Sequence, residues 1–246
     1  MTTAAQIKLP DDMPANMRRL PRDKVGRPVP WFVPWVNGEP DFRLMDSKRL
    51  VDAIRAQLCF ICGERLKRNH GAASPRGTFT AGPMCVVNRT SPEPPDHAEC
   101  AEWSAKACPF LSKPAKDRRT TNLPEGHTEA AGIPILRNPG VTALVHCTKW
   151  RVYPVREGDG SGAGRGILFE MTRIESVGWM AEGRKATSAE VMDSIESGLP
   201  TLLAYAEMET GALPVLARRL RDALRFVESP EPWDYPCVQS LLTELR

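Results

Sequence analysis

The 246-residue chain has no apolar run approaching the ~18–20 residues that a membrane-spanning helix requires. Its opening residues, MTTAAQIKLPDDMP, lack the basic-then-apolar order of a secretory signal. Both absences point to a cytoplasmic protein without a membrane partner. Its cysteines are then expected to be reduced, and any clustering among them reads as metal binding or chemistry before disulfides. A strong charge of one sign is also missing: 33 basic against 30 acidic residues leave a net charge of +3. Walker, Rossmann, G-x-S-x-G and H-E-x-x-H patterns are all absent. His146 and Cys147 adjoin on an expected strand, so their side chains face opposite ways and form no direct dyad. The glycines of REGDGSGAGR (156–165) follow no phosphate-binding spacing and read as a plain hairpin connection.

What remains is an ordinary globular composition, 41% apolar and 26% charged, long enough to bury a core without disulfide staples. Positive charge is uneven. Residues 1–40 hold Lys8, Arg18, Arg19, Arg22, Lys24 and Arg27 against four acids, and KPAKDRR (113–119) adds four bases against one acid. Such patches can bind nucleic acid, but short basic runs without interleaved aromatics also occur as solvated tails and linkers.

The first 40 residues are rich in proline, which blocks helix interiors and central strands. They read as an extended arm whose PVPWFVPW part forms an edge strand or a strap over the core. MDSKRLVDAIRAQ (45–57) is an amphipathic helix capped by Asp46 or Ser47, with Leu50, Val51 and Ile54 on one face. TFTAGPMCVV (78–87) reads as a strand, and residues 96–107 as a helix ended by Pro109. A polar stretch, 113–140, is the expected linker. Beyond it, 141–155 and 166–180 read as strands. ATSAEVMDSIESG is a helix with a Thr187/Glu190 capping box and Gly198 as its stop. Two further helices follow.

The cysteines carry the sharpest signal. Cys59 and Cys62 in CFIC, followed by Gly63, make a C-x-x-C-G half-site of the kind that holds zinc. In PPDHAEC, Asp96 is a natural N-cap, which places His97 and Cys100 three residues apart in the first turn. A helix N-terminus favours thiolate over thiol. Cys108 lies eight residues beyond Cys100, about 12 Å along a helix, too far to join the same ion. The expected ligands are therefore Cys59, Cys62, His97 and Cys100 for Zn. An all-cysteine site with Cys85 in place of His97 is the main rival, and an iron–sulfur cluster is an alternative. Cys85, Cys108, Cys147 and Cys237 otherwise read as apolar fillers.

A knuckle, a hairpin and a helix whose first turn gives the second ligand pair form the treble-clef layout, and the segments from Cys59 to Cys108 resemble it in order. Together, CFICGERL, GPMCVVNRTSPEPPDHAECAEWSAKACPFL and VGWMAEGRKATSAEVMDSIESGLP resemble a group of uncharacterised proteins encoded by bacteriophages and prophages. That resemblance implies a role inside a bacterial host and carries no activity.

The expected fold is α+β: a Pro-rich arm (1–40), a treble-clef-like zinc module (41–112), a linker (113–140), and a C-terminal domain (141–246) with a β-hairpin packed against helices. The expected function is that of a zinc-stabilised, non-enzymatic binding protein acting on nucleic acid or on a protein that handles it. One alternative is an HNH-like nuclease using His70 and Asn88. The other is an adaptor or inhibitor acting on a host protein.

Overall fold

In the computed structural model, residues 9–68, 74–113, 116–119, 121–123, 138–155 and 166–244 are described. They form a mixed α+β structure around one curled, five-stranded antiparallel sheet of half-barrel shape. The long hairpin β5 (Thr142–Val155) and β6 (Gly166–Ala181) is its centre, close to where alternating apolar residues place it. β3 (Gly77–Ala81) pairs with β5, while β4 (Thr90–Ser91) and β7 (Arg184–Lys185) pair with β6. Register shifts between His146 and Trp150 mark bulges in β5, and bulges of this kind bend a strand and increase its twist. The 156–165 connection and most of the 113–140 stretch lie outside the described residues.

Both faces of the sheet are covered where β3 and β5 meet. On one face Phe79, Val145, Phe169, Met171 and Trp179 pack against the helical layer. That layer comprises α3 (Pro83–Asn88), α6 (Ser188–Glu207), α7 (Ala212–Leu224) and α8 (Pro236–Thr243). On the other face α4 (Ala98–Ala107) sets Ala101 and Ala105 against Leu144 and Met180. Small residues on α4 let its backbone come close to the sheet. The turn α5 (Pro109–Ser112) follows α4. The sheet therefore takes strands from both the 41–112 and the 141–246 segments.

Two expected elements differ. The run 78–87 is not a single strand. Gly82 becomes an N-cap and Pro83 the first residue of α3, the position where a missing N–H costs nothing. Gly198 does not end a helix either, because α6 continues to Glu207 through Pro200. A Cβ at Gly198 would lie 2.7 Å from Met84 Cγ, so this glycine serves the contact between α3 and α6. The Thr187/Glu190 capping box is present at the other end of α6.

The N-terminal segment, expected as an extended arm, is a folded strap. It contains the short helix α1 (Ala15–Arg18) and a small hairpin of β1 (Trp35–Val36) and β2 (Glu39–Pro40). Met17, Leu20, Val29 and Val33 are all buried. The strap leads into α2 (Ser47–Ala56), whose first amides, Lys48 N and Arg49 N, donate to the Asp46 carboxylate. Phe32 stacks on Phe60 at 4.4 Å between ring centroids, joining the strap to the CFIC turn.

Gly77 is a close-approach position. A Cβ there would fall 2.6 Å from Pro95 Cβ and 3.2 Å from Trp150 Cη2, both on rigid rings. At Gly178 a Cβ would meet Leu144 at an ordinary 3.7 Å. Gly77→Ala is expected to lower unfolding free energy by about 1–3 kcal/mol, and Gly178→Ala by less than ~1 kcal/mol, as read by urea denaturation.

Candidate metal centre

The turn after α2 is set by backbone bonds. Cys59 N donates to Glu64 O at 2.6 Å, and Gly63 N donates to Cys59 O at 2.8 Å. Gly63 has φ +76°, and a Cβ on it would lie 2.7 Å from the Trp31 indole. Both the left-handed backbone and the covering ring exclude a side chain there. Trp31 N in turn donates to Ile61 O at 2.7 Å, so the strap holds the turn from outside.

The second half-site is fixed by β3. Thr78 N donates to Asp96 O at 2.9 Å, and Asp96 N donates to Thr78 O at 2.8 Å. This bridge delivers His97 as the N-cap of α4 and Cys100 to its first turn. Asp96 is not the cap that the sequence suggests. Its buried carboxylate accepts from Ile61 N at 3.0 Å, so it clamps the CFIC turn to the start of α4. Burial pushes its carboxyl up to about 8, against the Ile61 hydrogen bond that favours the anion.

Cys59, Cys62, His97 and Cys100 converge here. All four are buried, and one ligand atom from each lies within 4.8 Å of every other. Bond lengths of about 2.0–2.3 Å give a tetrahedral zinc site edges of about 3.5–3.8 Å, so the cluster is close to that size. His97 turns Nδ1 toward the sulfurs, at 3.3 Å from Cys62 Sγ and 3.9 Å from Cys100 Sγ. Its Nε2 lies 3.0 Å from Arg65 O. A carbonyl only accepts, so Nε2 carries the proton and the Nδ1 lone pair points into the cluster.

The electrostatics ask for a cation. Hydrogen bonds from Cys100 and Cys59 pull the Cys62 thiol strongly down, with His97 contributing. Burial pushes Cys59 strongly up. Unaided, the cluster therefore favours a thiolate at Cys62 and opposes one at Cys59, and a divalent ion supplies the charge that several buried thiolates need.

One ligating-shell neighbour was not legible in the sequence. Asn16, on α1, places its amide nitrogen 3.3 Å from Cys62 Sγ, 3.3 Å from Cys100 Sγ and 3.3 Å from His97 Nδ1. Being equidistant from three ligand atoms, it lies over the triangular face opposite Cys59. The inner side of that face is closed by Cys59 itself. Met17 and Leu20, beside Asn16, pack with Ile61, Leu66 and Trp103 around the cysteines.

The remaining candidates lie elsewhere. Cys85 is on α3, packed against the main core, and burial pushes its thiol up to about 11. Cys147 is buried in the same core, with its thiol raised by burial to about 12. Cys108 caps the C-terminal end of α4. Asn88 donates to Thr90 Oγ1 at 3.2 Å and accepts from Arg219 at 2.8 Å, which makes it a tie between α3 and α7. His70, its proposed nuclease partner, lies outside the described residues. The strands between the half-sites also depart from the treble-clef layout, because β3 and β4 do not pair with each other and sit at opposite ends of the strand order.

Among the described residues no helix is long and apolar enough to cross a membrane. Compared with known protein families, curated proteins and solved structures, the chain matches none, and the resemblance to phage-encoded proteins stands without support.

Asp96→Ala removes the acceptor of a buried amide and leaves Ile61 N–H unpaired. It is expected to cost about 1–3 kcal/mol of stability, measured by denaturant unfolding of the metal-loaded protein.

Proposed function

We propose that Cys59, Cys62, His97 and Cys100 hold one zinc ion, and that the protein is a zinc-stabilised, non-enzymatic binding protein. The observation that carries this reading is the closed cluster: four buried protein ligands within 4.8 Å of one another. A catalytic zinc keeps one position for water or substrate. Here four side chains complete the set, and Asn16 covers the face opposite Cys59. The ion would tie the CFIC turn to α4, which itself packs on the sheet through Ala101 and Ala105. The treble-clef comparison extends to the turn and to the helix start, not to the strands between them.

The partner class proposed is nucleic acid or a protein that handles it, on the strength of the basic segments. Part of that charge is used internally: Arg19 pairs with Glu64, Lys24 with Glu39 and Arg27 with Asp23. Among the described residues, Arg18 donates to Met13 O and Arg22 to Gly26 O and Met13 Sδ, none of them an acid, which leaves their charge for a partner.

Elemental analysis of the purified protein is expected to give one zinc per chain, and iron or no metal would overturn the assignment. Cys100→Ser is expected to lower the melting temperature by more than about 10 °C, since structural zinc contributes many kcal/mol of folding free energy. Zinc loading is expected to weaken as pH falls, because each thiol must give up a proton to bind. Binding to random-sequence DNA or RNA is expected to fall steeply with salt. Absence of binding at low salt would remove the nucleic-acid partner and leave the zinc assignment intact.

A further inference from the structure

The sulfurs of the cluster are not equally insulated. Cys59 Sγ faces two backbone amides, His97 N at 3.4 Å and Cys62 N at 3.5 Å. Among the described residues no backbone amide reaches Cys62 Sγ or Cys100 Sγ. Both face the side-chain nitrogen of Asn16, each at 3.3 Å. A primary amide has two N–H protons, one for each of these sulfurs. The opposite orientation would turn the amide oxygen toward anionic sulfur, so the nitrogen faces inward. Asn16 is held there by its neighbour Met17, 1% exposed, and by Leu20.

Zinc with three thiolates and a neutral imidazole has a net charge of −1, and the excess electron density lies on sulfur. A hydrogen bond to a thiolate is charge-assisted. It draws density from the sulfur and lowers its reactivity toward electrophiles. Cys59 receives that protection from backbone, the Cys62 amide of its own turn and the His97 amide at the start of α4. Cys62 and Cys100 receive it from a residue 46 and 84 positions away in the chain, on a separate segment.

Resting on the zinc reading above, we infer that Asn16 is a shield for the metal centre. Its amide holds down the reactivity of Cys62 and Cys100, and these two sulfurs, not Cys59, are where soft electrophiles enter. The N-terminal strap thereby controls the chemical lifetime of the centre, because lifting α1 removes both hydrogen bonds at once. Asn16 acts as a positioning and insulating residue and is not a ligand.

The test treats the zinc-loaded protein and its Asn16→Leu, Asn16→Ala and Asn16→Gln variants with iodoacetamide. Alkylation at each cysteine is followed by peptide mass spectrometry, alongside zinc content. Leucine keeps the branched, four-heavy-atom shape of asparagine without donating, and glutamine keeps the donor. Asn16→Leu is expected to speed alkylation at Cys62 and Cys100 by about tenfold, the effect of losing one charge-assisted hydrogen bond. Cys59 should react at its original rate, and Asn16→Gln should lie closer to wild type. Faster alkylation in Asn16→Ala alone would mean that bulk, not hydrogen bonding, protects the sulfurs, and would overturn the inference. So would an equal rise at all three cysteines. A zinc-loaded chain whose variants all react at the wild-type rate would overturn the shield while leaving the zinc reading standing. A wild-type chain without zinc would overturn both.

Discussion

Several buried thiolates cannot share a volume less than 5 Å across without a cation among them. The cost of burying unpaired negative charge is far larger than the net stability of a domain of this size. Within the cluster, hydrogen bonds from Cys100 and Cys59 lower the Cys62 thiol, while burial opposes a charge at Cys59. The structure around it is arranged to make the remaining cost bearable: amides at Cys59, a carboxamide at Cys62 and Cys100, a carbonyl fixing the His97 tautomer, and a carboxyl raised to about 8 at Asp96. These groups come from three pieces of the chain: Asn16 from the strap, Cys62 N and Arg65 O from the CFIC turn, and Asp96 and His97 N from the start of α4. Together they tie the strap, the CFIC turn and α4 into one unit.

That unit and the helical layer lie on opposite faces of the sheet. Phe79 and Val145 look toward α3 and α6, while Leu144 looks toward α4. This double covering accounts for the unbroken burial of Thr142–Val145. An alternating pattern marks a strand with one wet face, and a continuous one marks a strand buried twice. The small residues Ala101 and Ala105 let α4 approach the sheet, and Gly77 leaves room for the Pro95 and Trp150 rings.

Local signals in the sequence agree with the structure. The spacing in CFIC, the cap of α2, the capping box of α6 and the two long strands all depend on residues within a few positions of one another. The convergence of Cys59, Cys62, His97 and Cys100 was also legible, because each pair announces itself by a local spacing. Misread features depended on distant contacts. Gly198 resembles a helix stop until Met84 is seen to need its space. Asp96 resembles an N-cap until Ile61 is seen to take its carboxylate. Asn16 carries no local pattern at all, since its partners are 46 to 84 residues away. The pairing of β3 with β5 instead of β4 was likewise out of reach, because hydrophobic alternation names a strand without naming its neighbour.

The bridge between Thr78 and Asp96 has a consequence for the order of events during folding. β3 enters the sheet beside β5, and His146, the residue opposite Thr78, is 68 positions away in the chain. Through Thr78 the start of α4 is tied to a strand whose own place in the sheet depends on β5. The two ligand pairs therefore meet through contacts of long sequence separation, which form slowly compared with local turns. An ion captured early by the CFIC turn would have half its ligands and wait for the rest. A metal held by the four residues would then act as a latch on the assembled sheet, joining two ligand pairs that the chain itself brings together only through distant contacts.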